Sequence, residues 1–334
     1  MTMLTVTMYL RRDCPQCEQA KADLNALQDI VPHRLVEIDV STDEAQGLFP
    51  GTVPLVEVGP YRLAAPFTRQ ELEVTLRAAA DRQHTLESLG DAHYARARAQ
   101  GQTISWGDRI SYFLARHYLL LFNLFLALYV GLPFLAPMLK KAGAGWPAEV
   151  IYRLYRPLCH QLAFRSWFLF GEQAYYPLAD AHIDGVKTFE EASGILAPRA
   201  MLYLQARLFE GNEQMGYKVA LCQRDVSIWG TLFLFGLIFA ISGRRFKPLP
   251  LALWLLLGVL PAALDGGTQL ISQMSLPGLA NILPLRESTP FLRTLTGALF
   301  GFLTGWFGFP LIEEAMVETR RLLVRKFAVV NSPR

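Results

Sequence analysis

Tyr9-Leu10-Arg11-Arg12-Asp13-Cys14-Pro15-Gln16-Cys17 closes a short β-favouring run at residues 4–10 and opens a helical pattern over 16–30. Within that pattern Ala20, Leu24 and Leu27 recur at helical spacing. Strand, turn and helix therefore meet at a Cys-x-x-Cys. A helix N-terminus carries partial positive charge, which favours the thiolate of Cys14. Pro15 suits the first helical position, where no backbone N–H is needed. Two thiols placed in this way form a redox device.

Outward from this pair, residues 35–40 read as a second strand and 42–48 as a short helix. Pro54 opens a strand at 52–58, and another follows at 61–63 after the turn at Gly59-Pro60. Thr68, with Glu71 three residues on, predicts a capping box and a helix to about residue 81. The order β-α-β-α-β-β-α, with Cys-Pro-Gln-Cys at the first helix and Thr52-Val53-Pro54 before the third strand, resembles the glutaredoxin/thioredoxin fold. The resemblance covers residues 1–84. It implies that Cys14 is the attacking thiolate, that Cys17 is the resolving thiol, and that Pro54 sits in a cis peptide facing them. A structural zinc half-site, or two unrelated core cysteines, is the competing reading. The family's glutathione-binding Gly-Gly and acidic pair are missing; Ala64-Ala65-Pro66-Phe67-Thr68 stands in their place. The expected reductant is accordingly a protein thiol partner rather than glutathione, with no cofactor assigned to this domain.

The remainder of the chain differs in character. Of 334 residues, 52% are hydrophobic and only 18% charged, against about a quarter charged in soluble proteins. The net charge of +3 and the lack of an Arg/Lys stripe with interleaved aromatics exclude nucleic acid as the expected partner. Four cysteines are too few for a disulfide scaffold. The start Met-Thr-Met-Leu has neither the basic region nor the apolar core of a secretory signal, so the N-terminal domain is expected in the cytoplasm. Residues 85–113 are polar and Ala/Arg/Gln-rich, with helical spacing at 84–100, and read as a helical linker; His84 and His93 are expected at its surface.

Residues 114–334 read as an α-helical integral membrane domain. About 20 apolar residues cross the hydrocarbon core, and runs of this kind lie near 118–139, 226–243, 248–264 and 295–312. Gly297, Gly301 and Gly305 form a small-residue stripe suited to close helix packing. Arg109 and Arg116, then Arg244, Arg245 and Lys247, then Arg320, Arg321, Arg325 and Lys326 flank the runs on one side. Basic residues near spans mark the cytoplasmic face. Both termini are therefore expected inside, in a multi-pass protein of the cytoplasmic (inner) membrane. Residues 266–285, with Gln269, Gln273, Pro277 and Asn281, read as a re-entrant or interfacial segment, and 313–330 as a basic amphipathic helix on the inner lipid surface.

This topology gathers a second set of residues on the outer side. They are Cys159-His160-Gln161, Cys222-Gln-Arg224-Asp225, Asp265-Gly-Gly-Thr268-Gln269, and Arg286-Glu287-Ser288 followed by Arg293. These blocks resemble an uncharacterised family of bacterial multi-pass membrane proteins over residues 150–310, from which no activity follows. The long stretch between the first two blocks is expected to loop away as a lid. Ionisable groups at such depth are costly unless paired, so they mark a function or an ion-pair network. Cys159 and Cys222 admit three readings: a reversible disulfide, inert packing, or a zinc site using Cys159, His160, Cys222 and Asp225. The expected function is a membrane-tethered thiol–disulfide oxidoreductase. The alternative is a ligand-binding or transport protein whose outer site does the work and whose dithiol domain regulates it.

Overall fold

The computed structural model describes residues 3–42, 47–49, 51–274 and 285–332. The chain divides into two compact units, one of residues 1–118 with 314–334 and one of residues 119–313.

The first unit is built on a four-stranded sheet of β1 (Leu4–Leu10), β2 (His33–Asp39), β3 (Leu55–Val58) and β4 (Tyr61–Ala64), in the order β2-β1-β3-β4. β1 runs parallel to β2 and antiparallel to β3, and β4 is antiparallel to β3. Alternate residues of β1 point to opposite faces. Leu4, Val6 and Met8 pack against Leu24 and Leu27, at α1 (Pro15–Ala26) and just beyond it, and against Leu72 and Leu76 of α2 (Arg69–Ser88). The capping box at Thr68 and Glu71 is present, with both reciprocal bonds made. The expected helix at 42–48 falls partly outside the described residues, at 43–46.

The other face of the sheet carries Tyr9, Ile38 and Leu55, with Val40, Leu48 and Phe49 beside them. Its cover is the end of the last helix, α10 (Pro290–Asn331), through Val317, Val324 and Ala328. Arg325 pairs with Glu57 at 3.2 Å, Lys326 with Asp108 at 2.7 Å, and Arg321 donates to the Leu48 carbonyl at 2.6 Å. This corrects the expectation for 313–330. The basic face that suggests a lipid surface is committed to acids and carbonyls of the dithiol-bearing unit, and the apolar face to its sheet. That unit is accordingly larger than residues 1–84.

The linker is likewise not one helix. α2 continues to Ser88, the chain turns at Gly90 with φ +65°, and Asp91 caps α3 (Ala92–Gly101). A reciprocal Ser105–Asp108 cap then starts the next helix at Trp106, twelve residues before the apolar run at 118.

Among the described residues four helices are long and apolar enough to cross a membrane. They are α4 (Trp106–Lys141), α8 (Gln223–Ile241), α9 (Leu251–Gln273) and α10. Leu120, Leu124 and Leu128 on α4, and Leu255, Leu256 and Leu260 on α9, are exposed, as lipid-facing positions are. α9 holds one π-helical turn at Trp254–Val259 and then runs on through Asp265, Thr268 and Gln269. These three sit on a helix end. Asp265 is tolerated there because arginines neutralise it. Of the segment expected to be re-entrant, 266–273 are helical; Pro277 and Asn281 lie outside the described residues.

The glycine stripe packs α10 on α8. A Cβ at Gly297 would lie 2.8 Å from the Arg224 carbonyl oxygen, at Gly301 2.0 Å from that of Ile228, and at Gly305 2.9 Å from Phe235 Cβ. Thr231 donates across the same seam to the Ala298 carbonyl at 3.0 Å. Gly308 has nothing within 4 Å. Gly301→Ala should therefore cost about 2 kcal/mol or more, since backbone must move. Gly308→Ala should stay within about 0.5 kcal/mol. Melting of the detergent-solubilised variants distinguishes the two.

Between α4 and α8 lie α5 (Gly145–Tyr155), α6 (Phe189–Ser193), α7 (Arg199–Leu208) and a second sheet of β5 (Ser166–Leu169), β6 (Gly211–Asn212) and β7 (Gly216–Cys222), ordered β5-β7-β6. Phe164, Phe168, Tyr176, Phe189 and Met215 give this insertion a core of its own. It is a packed subdomain where a lid was expected, because its aromatics bury one another.

Candidate functional site

Cys14 and Cys17 are joined in a disulfide with Cα atoms 5.2 Å apart. β1 delivers Cys14 to the N-cap of α1, Pro15 occupies the first turn, and the Cys17 N–H donates to Cys14 Sγ at 3.2 Å. Cys17 is buried while Cys14 is partly exposed. Val53–Pro54 is a cis peptide directly before β3. Cys14, Cys17 and Val53 belong to one apolar cluster. A second cis peptide, Ala65–Pro66, follows β4 and had no sequence signal.

The second site is assembled by strand pairing. β7 ends at Cys222, which is the N-cap residue of α8, and Ser166 of β5 pairs with Cys222 in the ladder. Asp225 lies in the first turn of α8. The loop after α5 carries Cys159-His160-Gln161. Gln161 ties it down by donating to the Tyr152 and Ala220 carbonyls, both at 3.0 Å. Lys218, fully buried in β7, secures the same loop from its backbone side. Its ammonium donates to the carbonyls of Gln161 (2.7 Å), Arg207 (2.8 Å) and Ala206 (3.3 Å). Burial pushes this ammonium down to about 7.

As a result, one ligand atom each of Cys159, Cys222 and Asp225 lies within 4.8 Å of the others. Both cysteines are free. A hydrogen bond to Cys159, then burial, raises the Cys222 thiol well above its ordinary range. The three line a cavity of about 450 Å³ together with His160, Gln161, Arg165, Arg224, Gln269, Gln273 and Arg293.

Behind that wall two carboxylates are each clamped by two guanidiniums. Asp265 pairs with Arg224 and, at 2.7 Å, with Arg286, and accepts from Ser288 at 2.8 Å through both oxygens. Arg286 also donates to Thr268 at 2.8 Å. Glu287 receives Arg165 in a bidentate pair (2.7 and 2.8 Å), pairs with Arg293, and accepts from Gln269 (3.2 Å) and Gln273 (2.9 Å). Bidentate guanidinium–carboxylate pairs fix geometry as well as charge.

All four sequence blocks therefore converge, at the N-termini of α8 and α10 and the C-terminus of α9. His160 lines the cavity yet stands outside the tight donor cluster, and Thr268 and Ser288 serve the Asp265 clamp. Lys218 escaped sequence reading, whereas Arg165 stands within the first sequence block and Gln273 within the segment expected to be re-entrant. Lys218 is the one charged residue of β7, Gly216–Cys222, and no motif marks it.

A family described as "Predicted membrane protein (DUF2085)" matches residues 214–307. The match takes in Cys222, Arg224, Asp225, the two clamped carboxylates and three of the four α-helical candidates for membrane crossing in whole or part. The uncharacterized protein MJ1492 of Methanocaldococcus jannaschii is 24% identical over 208 residues, which is 60% of this chain and 96% of that protein. No solved structure matches the chain. The chain carries a membrane domain similar to a family of predicted membrane proteins.

Proposed function

We propose that the protein is a membrane-anchored thiol–disulfide oxidoreductase, its N-terminal unit a glutaredoxin/thioredoxin-like domain on the cytoplasmic side of an inner membrane. The observation that carries this reading is the Cys14–Cys17 pair at the mouth of α1, with Cys14 the more accessible sulfur. In the reduced protein the Cys14 thiolate attacks a partner disulfide, forming a mixed disulfide and releasing one partner thiol. Cys17 then attacks Cys14, releasing the second partner thiol and leaving Cys14–Cys17 oxidised. Two electrons pass to the partner; a reduced partner run through the same steps in reverse restores the dithiol. Full-length Cys17→Ser should accumulate the mixed disulfide at Cys14 with protein partners in cells. Absence of any such adduct, together with no disulfide reduction by the reduced wild type, overturns the reading.

The membrane topology has independent support. β1 near the start of the chain and α10 near its end pack in one unit, which supports the reading that both ends share one side of the bilayer. That reading requires an even number of crossings, in keeping with the four candidate spans. Single cysteines placed at Gln83 and Ser332 in a cysteine-free background should resist an impermeant thiol reagent in intact cells. Labelling at Ser332 alone would show five crossings.

The arginine-walled cavity favours a second reading, a ligand-binding or transport protein regulated by the dithiol. Ligand-dependent stabilisation that ignores the thiol state would select it.

A further inference from the structure

Three groups that can each become anionic, two thiols and a carboxylate, meet within 4.8 Å at Cys159, Cys222 and Asp225. Side by side as anions they would repel, and a disulfide between the two sulfurs would have no use for the carboxylate. A cation satisfies all three. Thiolate and carboxylate oxygen are both zinc ligands, and three protein donors with one open position is the pattern of reactive rather than purely structural zinc sites. Thiolates select zinc-class ions over magnesium and calcium.

The surrounding charges fit such an ion. Four guanidiniums (Arg165, Arg224, Arg286, Arg293) face two clamped carboxylates (Asp265, Glu287), leaving a surplus of positive charge next to the donors. Binding a divalent ion while two thiols release protons leaves the net charge of the site unchanged. The surplus therefore does not oppose loading, and it compensates the three anionic ligands. Gln161 adds a second observation. It is fully buried and lines the same cavity, and its Oε1 has no hydrogen-bond partner although its Nε2 has two. A buried acceptor of this kind awaits a donor, which water on an ion would supply.

We propose that Cys159, Cys222 and Asp225 hold one zinc-class divalent cation, with its fourth position open to the cavity. Loading forms two metal–sulfur bonds and one metal–oxygen bond and releases two protons to solvent. The guanidiniums beside it suit that open position to water, hydroxide or a small anionic ligand. This site is separate from the Cys14–Cys17 dithiol and does not depend on that reading.

The test uses full-length protein with Cys14→Ser and Cys17→Ser, so that no other thiol pair competes. Reduced, metal-stripped protein in detergent is titrated with Co²⁺. One equivalent should bind with sulfur-to-cobalt charge-transfer absorption of a two-thiolate site, and Zn²⁺ should displace it. Asp225→Asn should weaken Zn²⁺ binding by more than about tenfold, and Cys159→Ser or Cys222→Ser should weaken it further and reduce the absorption. Zn²⁺ should also protect both thiols from alkylation, which reads the parent protein even where a serine variant fails to fold. No stoichiometric Co²⁺ binding, an Asp225→Asn affinity equal to the parent's, or a mapped Cys159–Cys222 disulfide in protein isolated from cells would each overturn the proposal.

Discussion

Glu287→Gln should be the most destabilising conservative substitution in the membrane domain, costing about 3–5 kcal/mol. The change keeps the shape and removes one charge. Two guanidiniums then face a neutral amide in a place with little water. The Glu287 side chain is 1% exposed, that of Arg293 4% and that of Arg165 21%. Gln269 and Gln273 also donate to this carboxylate, and an amide can turn only one oxygen toward four donors. Asp265→Asn provides the comparison. Its partners Arg224 and Arg286 are 25% and 32% exposed, so water can take up part of the freed charge, and a smaller loss is expected, about 1–3 kcal/mol. Thermal unfolding of the two variants in the same detergent ranks them. Adding Arg293→Leu to Glu287→Gln should recover part of the loss, because it removes the more deeply buried of the stranded charges. Equal melting of Glu287→Gln and parent would mean that the network is hydrated and that the clamp does not organise the site.

What was legible in the chain was local. The strand at 4–10, the Pro15 start of α1 and the Thr68/Glu71 box each act through neighbours in sequence, and each is found where the pattern puts it; the glycine stripe shows as spacing along one helix, although its partner α8 does not. The topology gathered the four short blocks of the second site on one side, but the elements that bring them together, β5–β7 pairing and helix ends far apart in the chain, leave no local pattern. What misled was partner choice. Residues 313–330 are basic and amphipathic, which is what a lipid-surface helix requires. A sheet face of Tyr9, Ile38, Phe49 and Leu55, ringed by Glu57 and Asp108, satisfies the same pattern. Periodicity states which face is apolar and is silent on what covers it. Lys218 shows the opposite limit. Its three carbonyl acceptors come from a loop and a helix end, and nothing beside it in the sequence announces them.

Cys14→Ser should abolish disulfide exchange, while Cys17→Ser should leave the first chemical step intact. The two sulfurs differ in what surrounds them. Cys14 is the N-cap residue of α1, partly exposed, and its sulfur accepts the Cys17 N–H. Cys17 is one turn further in and buried against Ala20, Leu24 and the sheet. Only the thiolate is nucleophilic, and a helix N-terminus favours it. In the reduced full-length protein Cys14 should therefore alkylate faster than Cys17 at neutral pH, by about tenfold or more. Turnover with a protein disulfide should fall by at least about a hundredfold in Cys14→Ser, since the attacking atom is gone. Cys17→Ser should also lose turnover yet yield one equivalent of mixed disulfide, releasable by dithiothreitol. Truncation after residue 84 is a poor vehicle for this measurement. It strips Val317, Val324 and Ala328 from the sheet and would confuse loss of chemistry with loss of fold, so the intact chain is the substrate of choice. Equal alkylation of the two cysteines would remove their distinct roles. Exchange surviving Cys14→Ser would move the reaction to another sulfur, with Cys17, Cys159 and Cys222 the remaining candidates.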